Sequence, residues 1–417
     1  MSTRAAPVTA CRACGGPLGA TFCDLGVQPV ANSYIRPAHA AAPEPRFPLC
    51  AVVCQDCRLV QLDTVVDAEG IFSNYAYFSS VSASWLDHAA GFTRAITQRL
   101  GLGGGSFVVE VASNDGYLLR NFVAAGIRCL GLEPAANVAQ VARERGVPTE
   151  SVFLGEVTAR AVVAQHGHAD LVASNNVFAH APAINDFTAG LAALAGPRGV
   201  VSIEQPHLLR MVDGVQFDTI YHEHYAYWSL LAMERILARH GLRVFDVERL
   251  PTHGGSIRVL SSAADRGTSP ALAEIRAEEA ARGLEADAFY DGFETRVRAT
   301  LTEFSAWLAE ARSTGRRIGA YGAAAKGNTF LNAAGVTAAD IVAVADRSPA
   351  KQGRLLPGSR IPVVTPDALL TLPLDDILVL PWNIGAEIAE QLRADGFQGR
   401  ILTAVPAMRE LAAEVPA

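Results

Sequence analysis

A chain of 417 residues is longer than one hydrophobic core usually organises, so two or three domains built around separate sheets are expected. Half of the residues are hydrophobic, and 35 basic against 42 acidic residues give a net charge of −7 with no Lys/Arg-dense stripe, which argues against nucleic acid as the principal partner. No apolar run approaches the roughly 18 to 20 residues that span a bilayer, and the opening MSTRAAPVTACRACGG lacks an apolar signal core, so no membrane partner is expected and a cytoplasmic location is the default.

The first 68 residues are turn-rich and hold Cys11, Cys14, Cys23, Cys50, Cys54 and Cys57. Such a segment buries little core by itself, so something must staple it. Cys11-x2-Cys14 and Cys54-x2-Cys57 each set two thiolates at a knuckle turn, from which both sulfurs reach one tetrahedral ion at about 2.3 Å. These four are expected to hold a structural zinc ion, a better reading in a reducing compartment than disulfides, a redox pair or free buried thiols. Cys23 and Cys50 are expected to be small core hydrophobes.

Residues 69–265 read as an α/β domain. A polar aromatic loop, IFSNYAYFSS, runs into an amphipathic helix; SFVVEVASNDGYLLRNFVAAGIRCLGLEP then gives a strand, a tight turn at Ser113 to Gly116, a helix and a second strand ending at Glu133. ADLVASNNVFAH and GPRGVVSIEQPH repeat the pattern of an apolar run with polar residues at its carboxyl end. That alternation is the mark of a doubly wound parallel sheet, whose ligands lie beyond the carboxyl ends of the strands.

VVEVASNDGYLL resembles the first motif of class I S-adenosylmethionine-dependent methyltransferases, with Glu110 at the acidic position and Gly116 at a glycine position. Ala112 and Asn114 stand where that family commonly has further glycines. The resemblance implies a cofactor cradled by Ser113, Asn114, Asp115 and Gly116, with Asp115 accepting from the methionine ammonium. Glu133, before Pro134 and 23 residues beyond Glu110, can accept from both ribose hydroxyls of an adenosine, a role it would also fill for a nicotinamide dinucleotide. The turn discriminates better, since ASNDGY lacks the G-x-G-x-x-G that a pyrophosphate needs and Asp115 would repel a phosphate. Phe153 and Leu154 are candidates to flank the adenine, and Asn175 a further cofactor contact. Asn176 and His180 lie where a reacting ligand should sit.

YHEHYAYW, residues 221–228, admits a metal site, an aromatic plug or a set of proton-handling groups. His-x-His has no third ligand nearby, which disfavours metal. Tyr227 and Trp228 are expected to pack, and His222 to be structural. In an extended strand Tyr221 and Glu223 would face away from His224, so a loop or turn is expected if the three share a ligand.

Residues 266–417 begin with long helices and continue through RRIGAYGAAAKGNTFLNAAG, DIVAVADRS and DDILVLPWN, the grammar of a second, smaller Rossmann-like domain. Gly322 and Gly327 with Lys326 form a candidate phosphate cradle. Lys351 and Arg354 are candidate diphosphate ligands, a solvated basic turn being the alternative.

Taken in order, the four-cysteine module, LGVQPVANSY, YAYFSSVSASW, EVASNDGYLL, SNNVFAH, YHEHYAYWS, HGGSIRV and YGAAAKGNT resemble the sugar C-methyltransferases that act on nucleotide-linked 4-keto deoxyhexoses, from Cys11 to about Trp382. The resemblance implies methyl transfer from S-adenosylmethionine to C3 of a thymidine-diphosphate (TDP)-linked 4-keto sugar through an enolate, as in branched antibiotic sugars. It makes His224 the base, with His180 its rival, Glu223 the orienting group and Tyr221 a donor to the oxyanion. Tyr75 and Tyr77 would close over the pocket, with Ser80 beside them, and a monomer is expected. A nicotinamide-dependent sugar-nucleotide oxidoreductase and a non-catalytic protein whose zinc module recruits a partner are the competing classes.

Overall fold

The computed structural model describes residues 4–67 and 78–411; Tyr75 and Tyr77 lie outside the described residues. At the amino terminus β1 (Ala5–Pro7) pairs antiparallel with β5 (Thr64–Val66). Between them β2 (Leu18–Pro29), β3 (Arg46–Cys54) and β4 (Val60–Leu62) form an antiparallel sheet whose fourth strand, Ala226–Tyr227, comes from far along the chain. The cysteine knuckles precede β2 and join β3 to β4, so one short sheet brings both to the same end.

The central sheet contains β6 (Phe107–Val111), β7 (Arg128–Leu132), β8 (Thr149–Glu150), β9 (Leu171–Asn175), β10 (Val200–Pro206), β12 (Arg243–Leu250) and β13 (Ser256–Ser262), β11 being the strand Ala226–Tyr227 already described. Its order is β12-β13-β10-β9-β6-β7-β8. Pairing is parallel except at β13, which runs antiparallel to both β10 and β12. Every residue of β6 and β9 is buried, as expected for strands covered on both faces. The chain leaves β6 toward β7 and β8, then returns to β9 on the other side of β6, so the strand order reverses at the β6–β9 junction. A crevice opens there, beyond the carboxyl ends of the strands.

Helices Pro270–Arg282 and Phe293–Ser313 lead to the third part. Ser269 caps the first, its side chain accepting from Leu272 N–H, with Pro270 at the first helical position and left-handed Gly283 at its end. The last sheet, of β14 (Ile318–Tyr321), β15 (Val344–Ala345), β16 (Val363–Val364), β17 (Asp376–Val379), β18 (Arg400–Thr403) and β19 (Arg409–Glu410), has the order β16-β15-β14-β17-β18-β19 and is parallel apart from β19. Among the described residues no helix is long and apolar enough to cross a membrane.

The central and last parts each keep apolar clusters of their own, and a further cluster is shared by all three. One buried cluster joins Phe22, Leu49 and Leu62 to Phe217 and Tyr227, to Phe293 and Phe304 of the connector, and to Phe330 and Leu378 of the last sheet. Phe22 and Phe293 stack face to face with centroids 4.4 Å apart. The apolar packing therefore fixes where the parts meet, and the candidate site lies at that meeting.

Candidate active site

The sulfurs of Cys11, Cys14, Cys54 and Cys57 all lie within 4.8 Å of one another, and backbone N–H groups of Gly16 and Cys57 point at Cys14 Sγ (3.3 Å) and Cys54 Sγ (3.4 Å). Four converging sulfurs with amides turned toward them fit a four-thiolate zinc ion that leaves no open position, which makes the metal structural. Cys23 and Cys50 stay outside it. Burial pushes both thiols up, Cys50 to about 12, so both remain protonated; Cys23 is a core group as expected, whereas Cys50 is only half-buried.

At the crevice the turn after β6 puts Ala112, Asn114 and Gly116 in the left-handed region, with φ of 51°, 50° and 78°. The backbone thus takes at Ala112 and Asn114 the shape that glycine would adopt freely, and Asn tolerates it better than Ala. Gly116 has no alternative, because a Cβ there would stand 2.8 Å from Val147 Cγ2. Glu133 accepts from Asn114 N–H (2.9 Å) and Ala135 N–H (2.8 Å), so its carboxylate is fixed at the lip of the crevice, next to Pro134. Glu110 lies inside the strand; burial and then the neighbouring Glu133 raise its carboxyl well above the usual range. Buried beneath the turn, it shapes the strand end.

Asp115 is already partnered. Its Oδ2 accepts from Arg145 Nη1 (2.7 Å) and from Ser80 Oγ, leaving Oδ1 buried without a partner. Arg145 thus pairs with one oxygen of the carboxylate expected to meet an amino group of the ligand, and the other oxygen stays open. Ser80, expected at the substrate, belongs to this turn, and Ser79 N–H donates to Asn114 Oδ1 (2.8 Å). Across the crevice Asn175 Oδ1 and both side-chain polar atoms of Asn176 are buried without partners. Unpaired buried groups at a strand's carboxyl end are the chemistry of a ligand subsite. Phe153 is 46% exposed after β8, while Leu154 packs partly on the core.

Residues 221–224 form the expected turn, closed by His224 N–H on Tyr221 O at 2.8 Å. The His224 ring is buried. Its Nδ1 lies 2.8 Å from Thr219 O, and because a carbonyl only accepts, Nδ1 carries the hydrogen. Nε2 is then the basic atom, 2.7 Å from the Tyr221 hydroxyl. Burial, and next the nearby His180, hold the imidazole well below its usual pKa, so it is neutral at physiological pH. The His180 ring centroid is 4.7 Å away, and burial lowers that imidazole to about 4. His180 Nδ1 donates to the main-chain carbonyl of Glu223 at 2.7 Å.

Glu223, expected to orient an imidazole, meets one through its main chain. Its carboxylate accepts from Asn32 Nδ2 at 2.9 and 2.8 Å, and it is the main-chain oxygen that orients an imidazole, that of His180. His222 points away, with Nε2 3.3 and 3.2 Å from Phe47 O and Pro48 O. Tyr227 joins the amino-terminal sheet as part of β11, and Trp228 packs on Phe178 with centroids 4.5 Å apart, so both are packing groups as expected.

The last domain reaches the same place. Trp382 Nε1 donates to Asp218 Oδ2 at 2.7 Å, and the Lys326 ammonium lies 5.0 Å from the Trp382 ring centroid. Asp218 directly precedes Thr219, whose carbonyl fixes the His224 tautomer. Lys326 thus sits near the His224 turn, and its charge helps depress both His224 and His253. Lys351, expected at a diphosphate, donates from Nζ to Ala323 O (2.8 Å) and pairs with Asp346 (3.2 Å). Arg354 is half-buried beside it, its backbone N–H bonded to Lys351 O. LGVQPVANSY provides the other wall, with Ala31 O accepting from Asn328, Asn32 holding Glu223, and the Tyr34 hydroxyl donating to Ala323 O at 2.5 Å.

Several groups at this meeting were not singled out from sequence. His253, at φ 55° before Gly254 and Gly255, faces Trp85 with ring centroids 5.3 Å apart, and burial lowers it to about 4. Glu204, at the carboxyl end of β10, is buried between Arg258 (2.6 Å) and His88 (2.9 Å), and those partners hold its pKa below normal although burial alone would raise it. A histidine before two glycines and a glutamate ending an apolar strand were the available signals.

Family models match this chain in three successive stretches: a zinc binding domain over residues 11–72, a methyltransferase domain over 84–247 and a C-methyltransferase C-terminal domain over 251–406. The C-methyltransferase NovU of Streptomyces niveus is 36% identical over 416 residues, 98% of each chain. Among solved structures, magnesium protoporphyrin IX methyltransferase from Synechocystis with bound S-adenosylmethionine aligns at 15% identity over 43% of this chain and 78% of its own, with a TM-score of 0.32. A Burkholderia thailandensis 1,6-didemethyltoxoflavin-N1-methyltransferase aligns at 16% identity over the same shares, also with a TM-score of 0.32.

Proposed function

We propose, from the premise that the chain belongs to the S-adenosylmethionine-dependent C-methyltransferase family, that it methylates a ring carbon, C3, beside the ketone of a TDP-linked 4-keto deoxysugar. The observation that carries this reading is the His224 imidazole, buried and neutral, with Nδ1 tied to Thr219 O and Nε2 aimed at a phenol. A carbon next to a ketone becomes nucleophilic only after a base takes its proton, and the enolate oxygen then needs a donor.

His224 Nε2 accepts the C3 proton, and the C–H electron pair becomes the enolate. The Tyr221 hydroxyl, within 2.7 Å of Nε2, is placed to donate to the ketone oxygen as its charge grows. When bound, S-adenosylmethionine supplies a methyl group on a sulfonium; C3 attacks it, the carbon–sulfur bond breaks, and S-adenosylhomocysteine leaves. Glu133 and the turn Ser113–Gly116 would hold the nucleoside and methionine parts, and Asn176 and His180 would face the sugar. Lys326, beside Trp382 at this turn, would receive an anionic group of the substrate. Trp382 and the amino-terminal segment exclude water from the turn, which strengthens each polar interaction inside.

Calorimetry with S-adenosylhomocysteine, followed by mass spectrometry of a panel of TDP-linked 4-keto sugars, tests the reading. His224→Asn should bind the homocysteine product as the parent does and lose transfer by on the order of 10²–10⁴-fold. Wild-type turnover by that variant removes His224 as base, and absence of product binding removes the whole proposal.

A further inference from the structure

Arg12, the first residue inside the Cys11–Cys14 knuckle, extends its guanidinium out of the zinc site toward the methyltransferase part. Its backbone N–H and its Nε–H both donate to Gln61 Oε1, each at 3.1 Å. Nη1 donates to Pro182 O at 3.2 Å, and Nη2 donates to Tyr225 O. In the other direction Asn185 Nδ2 donates to the main-chain oxygens of Arg12 (2.6 Å) and Ala13 (3.0 Å).

The acceptors are what give these contacts meaning. Pro182 follows His180 by two residues, and Tyr225 follows His224 by one. The two histidine loops otherwise meet through Tyr225 N–H on Ala179 O (2.8 Å) and His180 Nδ1 on Glu223 O (2.7 Å). A guanidinium is a rigid planar fork of donors, so one side chain bonded to both loops fixes the distance and angle between them. Proton transfer is sensitive to such placement, since a shift of about 1 Å can cost on the order of 10²-fold in rate.

We propose that Arg12 is a positioning residue for the proton-transfer step, holding the His180 and His224 loops in register. The zinc module thereby belongs to the catalytic geometry, because four-thiolate coordination fixes the knuckle from which Arg12 projects. This inference rests on the reading of residues 221–224 as the acid–base turn.

Arg12→Met and Arg12→Lys test it in the full chain. Both should retain one zinc per chain and wild-type affinity for S-adenosylhomocysteine. For Arg12→Met, kcat should fall by about ten- to a hundredfold while KM for the TDP-linked sugar stays nearly constant, and backbone amides of residues 221–228 should exchange hydrogen for deuterium faster. Arg12→Lys should recover little, because a point charge on a flexible stem does not span separate carbonyls. Should Arg12→Met fail to fold, Asn185→Ala frees the Arg12 main chain and should move kcat and exchange in the same direction to a smaller degree.

Wild-type exchange across 221–228 in a zinc-loaded variant overturns the clamp whatever the activity. So does a fall in kcat accompanied by an equal loss of S-adenosylhomocysteine binding, which would mark a domain-wide defect. If His224→Asn stays active while Arg12→Met loosens the turn, the acid–base reading falls and the clamp stands as a contact between the two loops.

Discussion

Asn32 spends its amide on both oxygens of Glu223, which helps that carboxylate stay buried at 0% exposure. Asn32→Leu removes a donor that reaches both oxygens and should cost about 1–3 kcal/mol, read as a lowered thermal midpoint, because losing one partner of a buried charged group uncovers part of its desolvation penalty. Tyr221→Phe also strips a donor from a buried acceptor, His224 Nε2, and should lower the midpoint comparably, but it should lower kcat as well. At this scale the sequence was legible by residue type and not by atom. The turn at YHEHYAYW was foreseeable from its residue types, but not that the Glu223 carboxylate would meet Asn32, 191 residues away, while its main chain meets His180. Lys351 shows the same limit: it was singled out as a basic residue in a turn, but its partner Ala323 is set by how the last sheet folds. Arg145 was missed for the converse reason, since a partly exposed helix-end arginine looks ordinary until it is seen on Asp115.

Among elements, the strands with continuous apolar runs were visible in advance, and so were the two knuckles, because both signals are local. What was not visible is pairing. The two-residue strand Ala226–Tyr227 is too short to have a period, and it becomes a strand only because β4 offers it an edge. The turn HGGS shows how an element can be dictated by a neighbour far away. Gly254 has φ 85°, and a Cβ on it would lie 2.3 Å from Trp382 Cη2 and 2.7 Å from Gln216 Nε2. Gly254→Ala therefore combines a left-handed backbone with a displaced Trp382 ring, for a loss of about 1–3 kcal/mol. It should lower the unfolding midpoint, and it should also loosen the Trp382–Asp218 bond, so that amide exchange rises at residues 217–219. A lowered midpoint with unchanged exchange there would confine the effect to the turn.

For the whole molecule, the shared core has an electrostatic consequence. Closing three parts over one site buries His180, His222, His224 and His253 together, and burial lowers the pKa of each. For such a group the unfolded chain takes up protons first as the pH falls. Its contribution to stability is intact above the unfolded value of 6.5 and is lost progressively toward the folded value, about 4 for His180 and His253. The buried carboxyls Glu110, Glu133 and Asp218 are raised, again mainly by burial, and they act in the opposite sense, because in them the folded state is the one that holds the proton. The net slope with pH mixes the two, so a single histidine must be isolated by difference. His253 is suited to this, with Lys326, Glu204 and His88 as its charged neighbours and a left-handed backbone that Asn tolerates. Between pH 7 and pH 5 the unfolding midpoint of the parent should fall further than that of His253→Asn, which has no proton to gain. A chain built of several parts need not unfold in one step, so the comparison is between midpoints measured identically for both proteins. Parallel slopes would mean that His253 titrates alike in the folded and unfolded protein, and that the site is wetter than its packing indicates.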